Sequence, residues 1–121
     1  MATRPIPDSM TTPYVFQLKT RTLSAGSSPE LLYWVNSILD SGAKTLLIDF
    51  RDVLFMDSSG LGALVIVRNR VQKIGGRLMF CSLNGQARML FDISGMEQMF
   101  EVYENADACR KVLAAEDSKS T

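Results

Sequence analysis

The sequence of 121 residues contains no histidine, only two cysteines, and thirteen acidic residues against thirteen basic ones. Without histidine, the chain lacks the commonest general base and the commonest metal ligand, which disfavours most familiar hydrolase mechanisms. Cys81 and Cys109 lie far apart and outside any CxxC pair, which argues against a disulfide framework or a zinc site. The sequence therefore predicts no catalytic residue, no metal site and no cofactor.

The balanced charge excludes the one-signed field that would draw a protein nonspecifically to nucleic acid or to an anionic bilayer. Long apolar runs are missing as well. Met1–Thr12 carries Arg4, two prolines and several hydroxyl residues, and it matches neither a secretory signal nor a membrane span. We therefore expect a cytoplasmic protein that binds neither nucleic acid nor membrane.

Length and composition are those of one globular domain, with 46% hydrophobic residues in 121. The polar, proline-punctuated start predicts a flexible arm over residues 1–12, and the polar end predicts a flexible tail over residues 116–121. The folded domain is predicted to span residues 13–115.

Strand and helix patterns alternate along this predicted domain. Strands show as alternating or short continuous apolar runs, and helices as apolar residues spaced by three and four. The predicted strands are Tyr14–Leu18, Leu46–Phe50, Arg77–Ser82 and Met99–Tyr103, and the predicted helices follow Ser28, Ser58, Asn84 and Asn105. Such alternation is typical of an α/β sheet built by crossover connections.

The richest feature is the passage from the apolar strand before Asp49 to the turn at Ser58 and Ser59. Serine at such a corner is a natural N-cap, since its oxygen accepts from unpaired amides of the first helical turn. Gly60 and Gly62 follow, and each disfavours a helix by about 1 kcal/mol relative to alanine. We therefore expect the small size of these glycines to serve a purpose.

Motifs of known catalytic sites are not matched here. A nucleophile elbow needs glycine where Met56 stands, a dinucleotide-binding loop needs a third glycine where Val65 stands, and no phosphate-binding GxxxxGK[ST] loop is present. A hydrolase using Ser58 or Ser59 has little support, because the sequence offers no histidine or well-placed lysine as its base.

Two roles remain open for Ser58: a silent helix cap, or a hydroxyl that another protein modifies. A phosphate at a helix N-terminus meets unpaired amides and the positive end of the helix dipole, so the fold could carry it. The same dianion beside Asp57 would repel an acidic or apolar docking surface. Such a site would switch binding without changing the fold.

A family resemblance lies in the same segment. Phe55–Gly62 contains the sequence DSSG, and together with Val71–Gly76, the strand ending at Cys81 and Arg88–Met96 it resembles the STAS domain of bacterial anti-sigma factor antagonists. The resemblance covers about Tyr14 to Ala115. It implies an α/β fold: a single STAS-like domain with a mixed, mainly parallel sheet of four to five strands and four helices.

The resemblance also implies a function. In such proteins a serine, here Ser58, is phosphorylated by a partner serine kinase that doubles as an anti-sigma factor. The unphosphorylated form binds this kinase and frees its sigma factor, and a PP2C-type phosphatase restores binding. The chain would then be a binding module for partner switching and not an enzyme. The partner-binding residues carried over are Asp57, Ser58, Ser59, Gly60, Leu61 and Gly62.

The first turn departs from the family pattern, because Thr20–Ser24 lacks the acidic residue that often helps to meet the kinase. A second interpretation therefore stays open: a non-phosphorylated STAS module that binds a small ligand or serves as a regulatory subunit of a transport complex.

Overall fold

The computed structural model describes residues 13–119 of the chain. The predicted arm, residues 1–12, lies outside the described residues. The strands are β1 (Tyr14–Gln17), β2 (Thr22–Leu23), β3 (Thr45–Asp49), β4 (Phe55–Met56), β5 (Arg77–Cys81) and β6 (Glu101–Tyr103). The helices are α1 (Ser28–Asp40), α2 (Ser58–Lys73), α3 (Gly85–Ile93) and α4 (Ala106–Lys119), with a short 3₁₀ helix at Met96–Gln98.

Four strands form the main sheet in the order β1, β3, β5, β6. Every pairing among these described strands is parallel, with Ile48 of β3 between Phe16 and Phe80. The fold class is therefore the predicted one, α/β with a mainly parallel sheet and four helices. The additional strands, β2 and β4, pair with each other in a separate two-stranded sheet.

Side chains alternate between the two faces of the main sheet, as a strand requires. Leu46, Ile48 and Phe80 face the larger core with α1, α2 and α3. The rings of Phe50 and Phe100 lie 4.9 and 4.7 Å from that of Phe80. This aromatic cluster fixes the ends of β3 and β5, which lead to the loops described below.

The opposite face carries a smaller core beneath α4, made of Leu47, Met79, Cys81, Cys109 and Leu113. Cys81 is fully buried in this core. Asn105 caps α4 as predicted, because its Oδ1 accepts from the amide of Ala108 at 2.8 Å. The helix runs past the predicted start of the tail, and Glu116 accepts a hydrogen bond from Arg77.

Within residues 13–119, none of the helices has the length and apolar character needed to span a bilayer.

Candidate partner-binding site at the start of helix α2

The segment that leads into α2 is held on both sides by hydrogen bonds. The amides of Leu54 and Phe55 donate to the carbonyl of Arg21, at 2.9 and 3.1 Å. From the other side, Gln86 of α3 accepts from the amide of Met56 at 2.8 Å. The corner after β4 is thereby fixed before the helix begins.

Asp57, not Ser58, caps α2. Its backbone is extended and its Oδ1 accepts from the amide of Gly60 at 3.0 Å. The prediction that Ser58 is the N-cap was wrong by one position, because aspartate caps a helix as well as serine does and the residue before the serine already has the extended backbone that a cap needs. Ser58 therefore does not cap α2.

Ser58 and Ser59 are the first two residues of α2, and both are exposed. Within the part of the chain that the structure describes, neither hydroxyl forms a hydrogen bond. Ser58, Gly62 and Ile66 are spaced by four, so they lie along one side of the helix, and all three are exposed. This side of α2 presents a hydroxyl, a bare backbone and an apolar side chain to solvent.

Of the six predicted partner-binding residues, four are exposed: Asp57, Ser58, Ser59 and Gly62. Gly60 and Leu61 are buried, and Leu61 packs into the larger core. Their side of the helix faces inward because α2 must cover the sheet.

The two glycines of the first turn have different surroundings. A Cβ atom on Gly60 would lie 2.3 Å from the carbonyl oxygen of Leu23, whereas one on Gly62 would meet no atom within 4 Å. The small size of Gly60 therefore allows the close contact of α2 with β2. Only at Gly62 does the glycine leave open surface.

Sequence reasoning did not connect three residues with the site that they support. Asn84 donates through Nδ2 to the carbonyls of Phe50 and Ser82, which ties the loop after β3 to the loop after β5. Gln86 accepts a hydrogen bond from β4, and on the other side of β4 the carbonyl of Arg21 accepts two more. Apart from the bond between Asn84 and Ser82, these contacts join residues 30 or more positions apart, and no local pattern in the sequence marks them.

Other reactive groups are few in the structure. No group of three or more histidine, cysteine, aspartate or glutamate side chains converges within residues 13–119. Burial, with the nearby Cys81, raises the pKa of the Cys109 thiol to about 11, so this thiol stays protonated at neutral pH.

Two comparisons by sequence connect the chain to named relatives. It is 36% identical over 76 residues to the anti-sigma-B factor antagonist of Bacillus subtilis, covering 63% of this chain and 69% of the relative. It is 30% identical over 60 residues to the anti-sigma F factor antagonist of Paenibacillus polymyxa, covering 50% of this chain. The match spans only 51% of the Paenibacillus protein.

Solved structures share the fold at lower identity. The TM1081 protein of Thermotoga maritima superposes with a TM-score of 0.74 at 19% identity, over 91% of this chain and 92% of that one. A sulfate transporter family protein of Wolinella succinogenes superposes with a TM-score of 0.72 at 15% identity, over 93% of each chain. At these identities the superpositions establish the fold alone.

The family model for the STAS domain matches residues 11–109, which include both strands and helices around Ser58. With this match, the fold and the relatives above, the chain belongs to the STAS domain family.

Proposed function

We propose that this protein is an anti-sigma factor antagonist and that Ser58 is its phosphorylation site. In the unphosphorylated form it binds an anti-sigma factor that is also a serine kinase, and the sigma factor is released. Two relatives named as anti-sigma factor antagonists support this role. The observation that carries the proposal is the exposed Ser58 hydroxyl beside a helix cap that Asp57 supplies.

The division of tasks between these two residues matters for a switch. Because Asp57 caps the helix, a phosphate on Ser58 replaces no hydrogen bond of the fold among the described residues. The amides of the first turn and the helix dipole favour the added negative charge. A bound partner, in contrast, meets about two additional negative charges next to the Asp57 carboxylate.

The exposed position suits the remaining steps of the cycle. A PP2C-type phosphatase has to reach the phosphate to restore binding, and Ser58 lies at the surface. The chain itself acts as a binding module rather than as an enzyme in this proposal. No histidine exists in the sequence to activate the Ser58 hydroxyl for chemistry of its own.

The modification is tested with the anti-sigma factor serine kinase of the same organism, ATP and the purified chain. We expect phosphate on Ser58 by mass spectrometry, no phosphate in Ser58→Ala, and normal labelling of Ser59→Ala. The neighbouring serine is a matched control because both hydroxyls are exposed in the first turn. Absence of phosphate from Ser58 would contradict the proposal and favour the non-phosphorylated STAS module.

The switch is tested by calorimetric titration of the same kinase with Ser58→Asp and Ser59→Asp. We expect Ser58→Asp to weaken binding about tenfold or more, while its thermal unfolding midpoint stays near that of the wild type. Equal losses of binding in the two variants, or a parallel loss of stability, would contradict a specific role for Ser58.

A further inference from the structure

A basic depression lies near the site, and its side chains have no role in the proposal above. It has a volume of about 370 Å³ and is lined by Lys19, Thr20, Arg21, Arg51, Asp52 and Leu54. Its walls belong to the loop between β1 and β2 and the loop between β3 and β4. Three cations and one carboxylate give it a positive balance in a chain whose formal net charge is zero.

Two of the three cations have no acidic partner among the residues that the structure describes. Lys19 and Arg21 are exposed, and neither meets a carboxylate within residues 13–119. Arg51 donates to the buried carboxylate of Asp49 through Nε and Nη2, at 3.0 and 2.7 Å, yet its side chain is 61% exposed. The Asp49 contact orients this guanidinium at the rim of the depression.

The Asp52 carboxylate only partly offsets these charges. One of its oxygens already accepts a hydrogen bond from Nε2 of Gln17 at 2.8 Å. Gln17 lies at the end of β1 and is not one of the residues that line the depression. The depression therefore offers a ligand two cations, Lys19 and Arg21, that meet no carboxylate within residues 13–119. The one carboxylate that lines it, Asp52, already accepts a hydrogen bond from Gln17.

The depression reaches Leu54, the residue before β4, and β4 leads to Ser58. The carbonyl of Arg21 binds the amides of Leu54 and Phe55, and Thr22 and Leu23 pair with Phe55 and Met56. Ser58 follows Phe55 by three residues, a distance of about 10 Å at the rise of an extended chain. A partner that covers Ser58 and extends along β4 thus reaches Arg21.

Phe55 lies between the two and is 49% exposed. An exposed aromatic ring flanked by polar groups is typical of an anchor at a protein interface, where aromatic residues supply much of the binding energy. A small anion would gain nothing from this ring. The ring, the open shape and the position beside the strand that leads to Ser58 favour a protein surface as the occupant.

We infer that Lys19, Arg21, Arg51 and Phe55 form a second contact region for the anti-sigma factor serine kinase, and that this region binds an acidic segment of that kinase. The inference rests on the proposed function and specifies its partner's chemistry. Complementary charges on the two proteins speed their association and fix the orientation of the complex. An acidic segment on the partner also explains how a phosphate on Ser58 would weaken the complex, because the new dianion would repel it.

The test is a calorimetric titration of the purified anti-sigma factor serine kinase with unphosphorylated wild type, Arg21→Glu and Lys111→Glu. Lys111 is exposed on α4, which covers the opposite face of the sheet, so this control makes the same change of charge elsewhere. We expect Arg21→Glu to weaken binding about tenfold and Lys111→Glu to leave it unchanged. Raising the salt concentration from 50 to 300 mM should weaken wild-type binding more than Arg21→Glu binding.

Folding is not expected to obscure this result, because Arg21 holds β4 through its backbone carbonyl, which every variant keeps. Arg21→Gln, with an intermediate loss of binding and an unchanged unfolding midpoint, separates charge from structure. Equal binding of Arg21→Glu and Lys111→Glu would overturn the inference. A second result would also overturn it: the wild type binds inorganic phosphate by calorimetry, and Arg21→Glu loses phosphate binding but still binds the kinase. The depression would then be a small-anion site.

The outcomes also separate this inference from the proposed function. If Ser58 is phosphorylated but Arg21→Glu binds the kinase as well as the wild type does, only the inference is overturned. Binding that depends on Arg21 without phosphate on Ser58 would support the inference and overturn the phosphorylation. A kinase that does not bind the wild type would overturn both.

Discussion

Gly60 and Gly62 lie two residues apart in α2, but Gly60 is buried and Gly62 is exposed. The two glycines therefore have different roles. Gly60 allows the backbone of β2 to approach the helix, as its buried position next to the Leu23 carbonyl requires. Gly62 faces solvent on the same side as Ser58. The start of α2 thus combines an internal contact with an exposed surface, where we propose that a partner binds.

The residue-scale prediction compares the same substitution at both glycines. Gly60→Ala should lower the free energy of unfolding by about 2–3 kcal/mol, because its Cβ would overlap a backbone oxygen that cannot easily move. Gly62→Ala should raise it by about 0.5–1 kcal/mol, because alanine favours a helix and no atom opposes the methyl group. Urea denaturation of both variants measures these changes.

A similar loss of stability in the two variants would contradict the contact with Leu23. The pair also bears on function, because Gly62→Ala alters only the exposed side. We expect that variant to remain folded and to bind the kinase more weakly, if the bare backbone at Gly62 makes contact with the partner.

At the scale of elements, the structure shows how a corner is built from contacts distant in sequence. β4 has two residues, and on its own this strand would not persist. It is held by Arg21 on one side and by Gln86 on the other, while the amide of Ala87 donates to Leu54. The start of α2 therefore depends on α3 and on the loop before β2.

Local patterns predicted the helices and main strands well, because periodicity and capping residues are local properties of the chain. The helix at Ser58 could be predicted despite its strand-like run Leu61–Val67, from its length, its basic end and its terminal glycines. The sheet of β2 and β4 could not, since two-residue strands leave no periodic pattern. The cap at Asp57 was missed because adjacent aspartate and serine are equally good candidates.

The element-scale prediction concerns this cap. Asp57→Ala should lower the free energy of unfolding by about 1 kcal/mol, because the amide of Gly60 loses its acceptor. Asp57→Asn should lose only a few tenths, since the side-chain oxygen remains and only the charge at the helix dipole is removed. Chemical denaturation of both variants provides the measurement.

Asp52→Ala serves as the control, because Asp52 is also exposed and its carboxylate accepts from Gln17 outside any helix. Its stability should change less than that of Asp57→Ala. Asp57→Asn as unstable as Asp57→Ala would argue against capping and for a role of the charge itself.

At the scale of the whole molecule, the main sheet lies between the candidate site and helix α4. α2 and α3 cover one face, and α4 covers the other with the small core around Cys109 and Leu113. A polar network fastens α4 to the sheet: Arg77 of β5 donates to Glu101 of β6 and to Glu116 of α4, and Tyr103 donates to Glu101 as well. Changes in this network should alter stability and leave the surface around Ser58 intact.

The pH dependence of stability should reveal this network through Glu101. Burial opposes the charge on Glu101, but hydrogen bonds from Arg77 and Tyr103 outweigh it and lower the pKa of the carboxyl below its ordinary value of 4.5. The unfolded chain therefore takes up this proton more readily than the folded one. Glu101 contributes stability above about pH 4.5, and the contribution is lost as the pH falls through the lowered pKa of the folded state.

Urea denaturation of wild type, Glu101→Gln and Glu97→Gln from pH 7 to pH 3 tests this expectation. Wild type should exceed Glu101→Gln in free energy of unfolding by about 1–2 kcal/mol at pH 5–7, since the hydrogen bonds to the charged carboxylate are only partly exposed to solvent. This difference should shrink below pH 4.5 as the wild-type carboxyl takes up its proton. Glu97 is exposed and has no partner within residues 13–119, so Glu97→Gln should follow the wild type throughout. A difference that stays constant down to pH 3 would show that Glu101 stabilises the fold by packing and hydrogen-bond geometry, and not by its charge.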